Sequence, residues 1–288
     1  MRTRITTTAL AGATALTLAL TGCGTDSGTD SGTASAADGR GGELALTVAA
    51  SPSPHADILG FVRDELAPGV GLELTVMEFT DYVLPNTALQ NGEVDANYFQ
   101  HRPYLDDFNT AQGTDLVPVA DVHLEPLGLY SGVVTDLDGL AELAGTGEGA
   151  TVAIPNDATN AGRALRLLAD HDLIELAEGV GAEATPGDVT DARGLTLTEL
   201  EAASLPRALG DVDAAVINGN YALEAALVPA EDALVLESAE NNPYANILAV
   251  TAGSEEDEAI GLLADLLRSP EVRAHIEEAY EGSVLAAS

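Results

Sequence analysis

The sequence predicts an α/β protein of two similarly built lobes, each a mostly parallel sheet flanked by helices. Three observations carry this expectation. Short apolar runs of strand length alternate with segments whose apolar residues recur at helical spacing. Gly and Pro punctuate the junctions between them. The pattern also has an internal echo: LQNGEVDA (Leu89 to Ala96) and ALGDVDA (Ala208 to Ala214) each close a helix at Gly and turn through acid-Val-Asp-Ala into a strand.

The first series opens with LALTVAA, Leu44 to Ala50, a buried-type strand closed by Ser51-Pro52-Ser53-Pro54. Ala56, Ile58, Leu59, Val62 and Leu66 then fall on one helical face until Pro68-Gly69 breaks it. Strands follow at 72–79, 94–97 and 116–122, with helices at 84–90 and 103–109 between them. After 124–131 a second series sets strands at 151–154, 195–199 and 214–217 against helices at 159–170 and 203–209. Apolar 247–250 and helices at 256–267 and 270–280 return to complete the first lobe. In such α/β sheets ligands bind beyond the carboxyl ends of the strands.

The N-terminus reads as an address. Arg2 and Arg4 precede a charge-free stretch from Ile5 to Thr25, the form of a secretory signal, and its threonine-diluted apolar part is a poor transmembrane helix. Leu20-Thr21-Gly22-Cys23 is the pattern at which bacterial lipoproteins are cut and acylated, and Cys23 is the only cysteine. The expected organisation is a lipoprotein signal peptide at 1–22, lipidated Cys23 with a Gly/Ser/Thr/Asp tether to 42, a first lobe at 43–130 plus 246–288, and a second lobe at 131–245. The tether would span about 25 Å on average. Without a second thiol the globule relies on its core.

Composition excludes several function classes. The chain has no Lys; loss of Arg2 and Arg4 leaves 9 arginines against 47 acids, a net charge of −38. Nucleic acid is therefore not an expected partner. No nucleophile elbow or phosphate loop is present, and carboxylates are too numerous for any pair to stand out as an acid and base, so neither catalysis nor a cofactor is expected.

The informative residues cluster at strand-to-helix turns. With seven Tyr, four Phe and no Trp in the chain, Tyr82, Tyr98, Phe99 and Tyr104 gather on one expected sheet edge, with His101 among them. Pro155 to Arg163 leaves a strand and enters a helix, where free N–H groups favour an anion and Arg163 adds a guanidinium fork beside Asn160. Asn218 and Asn220 follow the strand at 214–217, and Asn246 sits where the chain crosses back between lobes. The histidines His55, His101, His123, His171 and His275 invite a metal site, but no pair has i, i+4 spacing, and a site would have to be assembled from distant loops.

DYVLPNTAL (Asp81 to Leu89), VDANYFQHRPY (Val94 to Tyr104), VAIPNDATNAGR (Val152 to Arg163), LEAASLP (Leu200 to Pro206), AAVINGNY (Ala214 to Tyr221) and PYANI (Pro243 to Ile247) together resemble the methionine-binding lipoproteins of the MetQ/NlpA family. The resemblance spans about 44–280. It implies a two-lobed periplasmic-binding-protein fold, type II-like, with a hinge and a ligand cleft between the lobes. It also implies that Tyr82, Phe99, His101 and Tyr104 enclose the ligand from lobe one, that Asn160 and Arg163 hold its carboxylate, and that Asn218 and Asn246 complete the polar shell. Arg102 stands where lysine is common in the family, and His55 falls where members differ, which makes it a candidate selectivity position.

The expected function is that of a monomeric, non-enzymatic lipoprotein on the extracytoplasmic face of the cell membrane, anchored by its N-terminal lipid. It captures methionine, L-methionine foremost, and delivers it to an ABC permease and its ATPase. The alternatives are another small ligand (D-methionine, a methionine dipeptide, another apolar amino acid), a metal-binding lipoprotein using His55, His101 and His123, or a surface-interaction protein.

Overall fold

Two sheets organise the chain in the computed structural model, which describes residues 44–287 apart from Ala182. The signal peptide, Cys23 and the tether expected at 1–42 lie outside the described residues. The first series comprises β1 (Leu44–Ala50), α1 (Asp57–Phe61), β2 (Leu72–Glu78), α2 (Leu84–Gln90), β3 (Ala96–His101), α3 (Arg102–Gln112) and β4 (Leu116–Leu124). The second begins with β5 (Gly128–Tyr130), α4 (Leu137–Ala144), β6 (Ala150–Pro155) and α5 (Ala158–Asp170). A small hairpin of β7 (Glu175–Leu176) and β8 (Val189–Asp191) leads to β9 (Leu195–Leu200), α6 (Leu205–Ala208) and β10 (Ala214–Ile217). It closes with α7 (Gly219–Glu224), α8 (Pro229–Asp232) and β11 (Val235–Leu236). The chain then returns through β12 (Asn246–Thr251), α9 (Glu258–Leu267), α10 (Pro270–Tyr280) and β13 (Leu285–Ala286).

The first sheet has the order β13-β4-β12-β3-β1-β2 and the second β11-β5-β10-β6-β9. In the first, β1 is parallel to β2 and β3, whereas β12 is antiparallel to both β3 and β4, so β12 runs against the main direction. In the second, β6, β9 and β10 are parallel and β5 alone opposes its neighbours β10 and β11. The expected α/β architecture therefore holds, but both sheets are mixed: β12 and the edge strand β13 run against the parallel strands of the first, and β5 against those of the second.

Each sheet carries its own core. Val48, Ile58, Leu59, Leu248, Leu263 and Ile276 are fully buried on the first, and Leu129, Leu140, Val152, Leu165, Leu168 and Val216 on the second. The helix expected after β1 is irregular. Only Asp57–Phe61 is α-helical; π-type turns at Pro52–Ala56 and Val62–Leu66 and a 3-10 turn at Ala67–Val70 flank it. Pro52, Pro54 and Pro68 remove the amides that a regular helix needs there. The short elements α4, α7, α8, β5, β7, β8, β11 and β13 left no periodic signal because two to eight residues complete barely two turns or one pleat.

Strand β3 departs most from its expected range of 94–97. It runs on through Gln100 and His101, and all six of its residues are buried. A polar sequence can be buried this way because its amides satisfy one another: Asn86 Nδ2 donates to Gln100 Oε1 (2.8 Å), while Asn97 Nδ2 and Gln100 Nε2 both donate to Asn86 Oδ1 (2.7 Å each). The network pins α2 to β3 and so sets the edge on which the cleft is built.

Two segments pass between the sheets, one from β4 to β5 through Glu125, the other from β11 to β12 through Glu237 and Tyr244. They are bonded to each other where Glu237 N donates to Leu127 O (2.8 Å). Leu165 is fully buried against the second sheet, so Leu165→Ala is expected to lower the unfolding free energy by about 2–5 kcal/mol, measured by urea denaturation.

Candidate functional site

The turn after β2, the carboxyl end of β3 with the start of α3, helix α5, the turn after β10, Asn246 of the reversed strand β12 and Glu125 of the first crossing segment surround a cavity. Every site residue expected from sequence lines it: Tyr82, Phe99, His101 and Tyr104 from the first series, Asn160, Arg163 and Asn218 from the second, and Asn246 from the return. Four further residues share the wall: Gln100, Glu125, Gly219 and Asn220. Glu125 was hidden among 47 acids, and only its place on a crossing segment distinguishes it.

The apolar part is an aromatic box. The Tyr82 ring lies 6.1 Å from Phe99, 5.8 Å from Tyr104 and 4.9 Å from Tyr221, mostly tilted or edge-on. Hydroxyls fasten it: across the cleft Tyr82 Oη donates to Asn220 Oδ1 (2.5 Å) and Tyr221 Oη to Thr80 O (3.3 Å), and within the first wall Tyr104 Oη donates to Tyr82 O (3.0 Å). Burial holds the Tyr82 phenol far above its ordinary range, so it remains a donor.

The polar part centres on Arg163, 4 % exposed on α5. Its Nε and Nη2 bond the Glu237 carboxylate at 2.8 and 2.5 Å, and Nη2 also donates to the Glu125 carbonyl (2.8 Å). Its guanidinium lies 4.3 Å over the Tyr244 ring. These bonds engage Nε and Nη2; Nη1 takes part in none of them. The open helix N-terminus expected at 155–163 is in fact capped. Asp157 accepts from Asn160 N (2.9 Å) and Asn160 Nδ2 (3.0 Å), so an incoming anion meets Arg163 rather than the free amides of α5. Asn160 Oδ1 accepts from Asn218 Nδ2 (3.0 Å) and lies 3.3 Å from His101 Nε2.

His101 faces Arg163 from the opposite wall, and burial first, then that positive charge, push its pKa down to about 3. The imidazole is therefore neutral at physiological pH. Its Nδ1 accepts from Tyr104 N (3.2 Å), as the N-cap of α3, which assigns the Nε2 proton to the bond with Asn160.

Below the cavity lies a second cluster. His55, His123 and Glu125 form the group, among the described residues, whose ligand atoms lie close enough to hold a metal ion, all within 4.8 Å of one another. His101 is not part of it. In this arrangement the three are bonded to each other: His123 Nε2 lies 2.7 Å and His55 Nε2 3.3 Å from Glu125 Oε1, with His55 Nε2 also 2.9 Å from Asn246 Oδ1 and the Tyr98 hydroxyl on His123 Nδ1. The candidate selectivity position His55 thus reaches the cavity only through Glu125 and Asn246. Four buried side-chain atoms find no partner among the described residues: His55 Nδ1, Tyr130 Oη, Asn218 Oδ1 and Asn220 Nδ2.

Two predictions follow from these groups. Arg163→Ala strands the mostly buried Glu237 carboxylate and is expected to lower stability by about 3 kcal/mol in urea denaturation, whereas Arg163→Met combined with Glu237→Leu restores most of it. For His101 the folded pKa of about 3 lies below the unfolded 6.5, so the unfolded chain binds more protons between these values. The stability contributed by neutral His101 is intact above pH 6.5 and is lost as the pH falls toward 3. Urea unfolding at pH 7 and pH 5 should show His101→Gln sparing about 2 kcal/mol of the loss seen in the wild type.

Comparison with known proteins agrees with this geometry. The family model described as NlpA lipoprotein matches residues 46–288. Membrane lipoprotein TpN32 of Treponema pallidum is 40% identical over 234 residues, 81% of this chain and 84% of that protein. The D-methionine-binding lipoprotein MetQ of Escherichia coli K12 is 38% identical over 218 residues, 75% of this chain and 78% of that one. Among solved structures, a nutrient binding protein from Burkholderia cenocepacia bound to methionine superposes with a TM-score of 0.79 at 39% identity, covering 84% of this chain and all of the other.

Proposed function

Because the chain belongs to the NlpA lipoprotein family, we propose that it captures methionine in the cavity between its sheets and delivers it to an ABC importer. The observation that carries the reading is the convergence of an aromatic box and a buried Arg163 on one cavity, an apolar lining with a few placed polar groups, which is the composition of a small-molecule site. In this reading Arg163 Nη1 takes the α-carboxylate, while Tyr82, Phe99 and Tyr104 surround the thioether, each sulfur–aromatic contact adding about 0.3–1.5 kcal/mol. Asn218 Oδ1, buried without a partner, is an acceptor waiting for a ligand donor.

The first lobe is taken as the first sheet with its helices and the second as the second sheet with its own, hinged on the two crossing segments; the expected boundary at 130 moves back to the crossing before β5, because Gly128–Tyr130 pairs with β10 in the second sheet. A ligand touching both lobes binds the closed form better than the open one, and closure is the signal read by the permease. The same reading makes the protein a non-enzymatic, lipid-anchored monomer on the extracytoplasmic face. The lipid on Cys23 is the anchor in this reading; no helix among the described residues is long and apolar enough to cross a membrane.

The test is calorimetric titration of the full-length protein in detergent, stripped of carried-over ligand by unfolding and refolding. Methionine is expected to bind at micromolar affinity or tighter, with L- and D-methionine and a methionine dipeptide compared side by side, and Arg163→Ala is expected to weaken it at least about 100-fold. Silence toward all three overturns the reading.

A further inference from the structure

Glu125 stands in the wall of the same cavity, 5 % exposed, with no role in the reading above. We propose that its carboxylate receives the ligand's α-ammonium group and makes the site selective for a free α-amino acid. The proposal rests on the amino-acid reading of the cavity and adds to it the group that recognises the amine.

The first support is position. The Glu125 carbonyl accepts from Arg163 Nη2 (2.8 Å), so the cavity's cation and this carboxylate are held on one rigid strut. A free amino acid carries its two opposite charges joined through a single carbon. Arg163 and Glu125 present the complementary pair on adjoining parts of one wall.

The second is charge. Glu125 Oε1 is bonded by His123 Nε2 (2.7 Å) and faces His55 Nε2 (3.3 Å), and a backbone N–H from Asn220 also reaches the carboxylate. His55 Nε2 must donate, since its other neighbour is the Asn246 carbonyl oxygen. Burial holds His55 down to about 4 and His123 to about 3, so both supply hydrogen bonds without supplying charge. The basic group of the wall, Arg163, is already matched by Glu237. The carboxylate is therefore oriented by its neighbours; burial raises its pKa against the opposing pull of His55, the Asn220 N–H and Arg163, and a ligand ammonium beside it would favour its charged form further.

The third is the company it keeps. An ammonium brings three donors, and the buried Asn218 Oδ1, unpartnered among the described residues, lines the same cavity. Gly219 allows the close approach: a Cβ there would fall 2.8 Å from Glu125 Cβ and 3.0 Å from Oε2. Any larger residue would push the carboxylate away from the wall.

The experiment uses the refolded full-length protein in detergent and titrates L-methionine against its des-amino analogue, 4-(methylthio)butanoate, into wild type, Glu125→Gln and Glu125→Asp. The wild type is expected to prefer methionine by about 10- to 100-fold, and Glu125→Gln to erase most of that preference by weakening methionine while leaving the analogue nearly unchanged. Glu125→Asp, which keeps the charge, should retain part of it. A preference unchanged in Glu125→Gln overturns the assignment while the methionine reading stands. Wild-type protein that binds neither compound overturns both. If Glu125→Gln fails to fold, the wild type decides alone: an analogue bound as tightly as methionine sinks the proposal. Stoichiometric zinc in the wild type that is lost in Glu125→Gln also sinks it, because the carboxylate would then be a metal ligand.

Discussion

One buried guanidinium ties the molecule together. Arg163 projects from α5 on the second sheet and grips both segments that pass between the sheets, the first through the Glu125 carbonyl and the second through the Glu237 carboxylate. Tyr244, also on the second crossing, covers its face. Burying a charge this deeply is costly unless its donors are matched; the bidentate carboxylate and the carbonyl engage Nε and Nη2, the aromatic face covers the plane, and Nη1 stands outside these bonds. The same bonds decide where the cavity's positive pole sits, so the linkage between the crossing segments and that pole share one side chain.

The opposite wall depends on a different solution to the same problem. Strand β3 carries Asn97, Gln100 and His101 into full burial, where unpaired amides would be expensive. Asn86 on α2 closes the amide network, and the N-cap role of His101 fixes its ring. With the polar groups satisfied behind it, the strand end can present Phe99 and the neighbouring tyrosines to the cavity. A rigid polar backing and an apolar lining suit a ligand with one charged end and one thioether end.

Contacts across the cleft carry the closed arrangement. Tyr82 to Asn220, Tyr221 to Thr80 and His101 to Asn160 each link residues from the two series. Neutral hydrogen bonds of this kind are worth about 0.5–1.5 kcal/mol each, so the three together join the walls without a charged link.

The alternation of strands and helices was legible in the sequence because burial periodicity is a local property of the chain, and eight of the twelve cavity-lining residues were legible because they sit in the motifs that resemble the MetQ/NlpA family. Tyr82, Phe99, Asn160 and Arg163 stand out by their neighbours in the chain alone. What the chain could not show locally is which of its 47 acids matters. Glu125 and Glu237 are ordinary acids in a linear reading and acquire their roles only from long-range partners, Arg163 lying 38 residues from the first and 74 from the second. His55 and His123 likewise have no spacing signal, and come together because β1 and β4 end on the same edge of one sheet. Local sequence determined the elements and the face they present; tertiary structure decided the pairing of buried charges, since that pairing depends on distances no periodicity encodes.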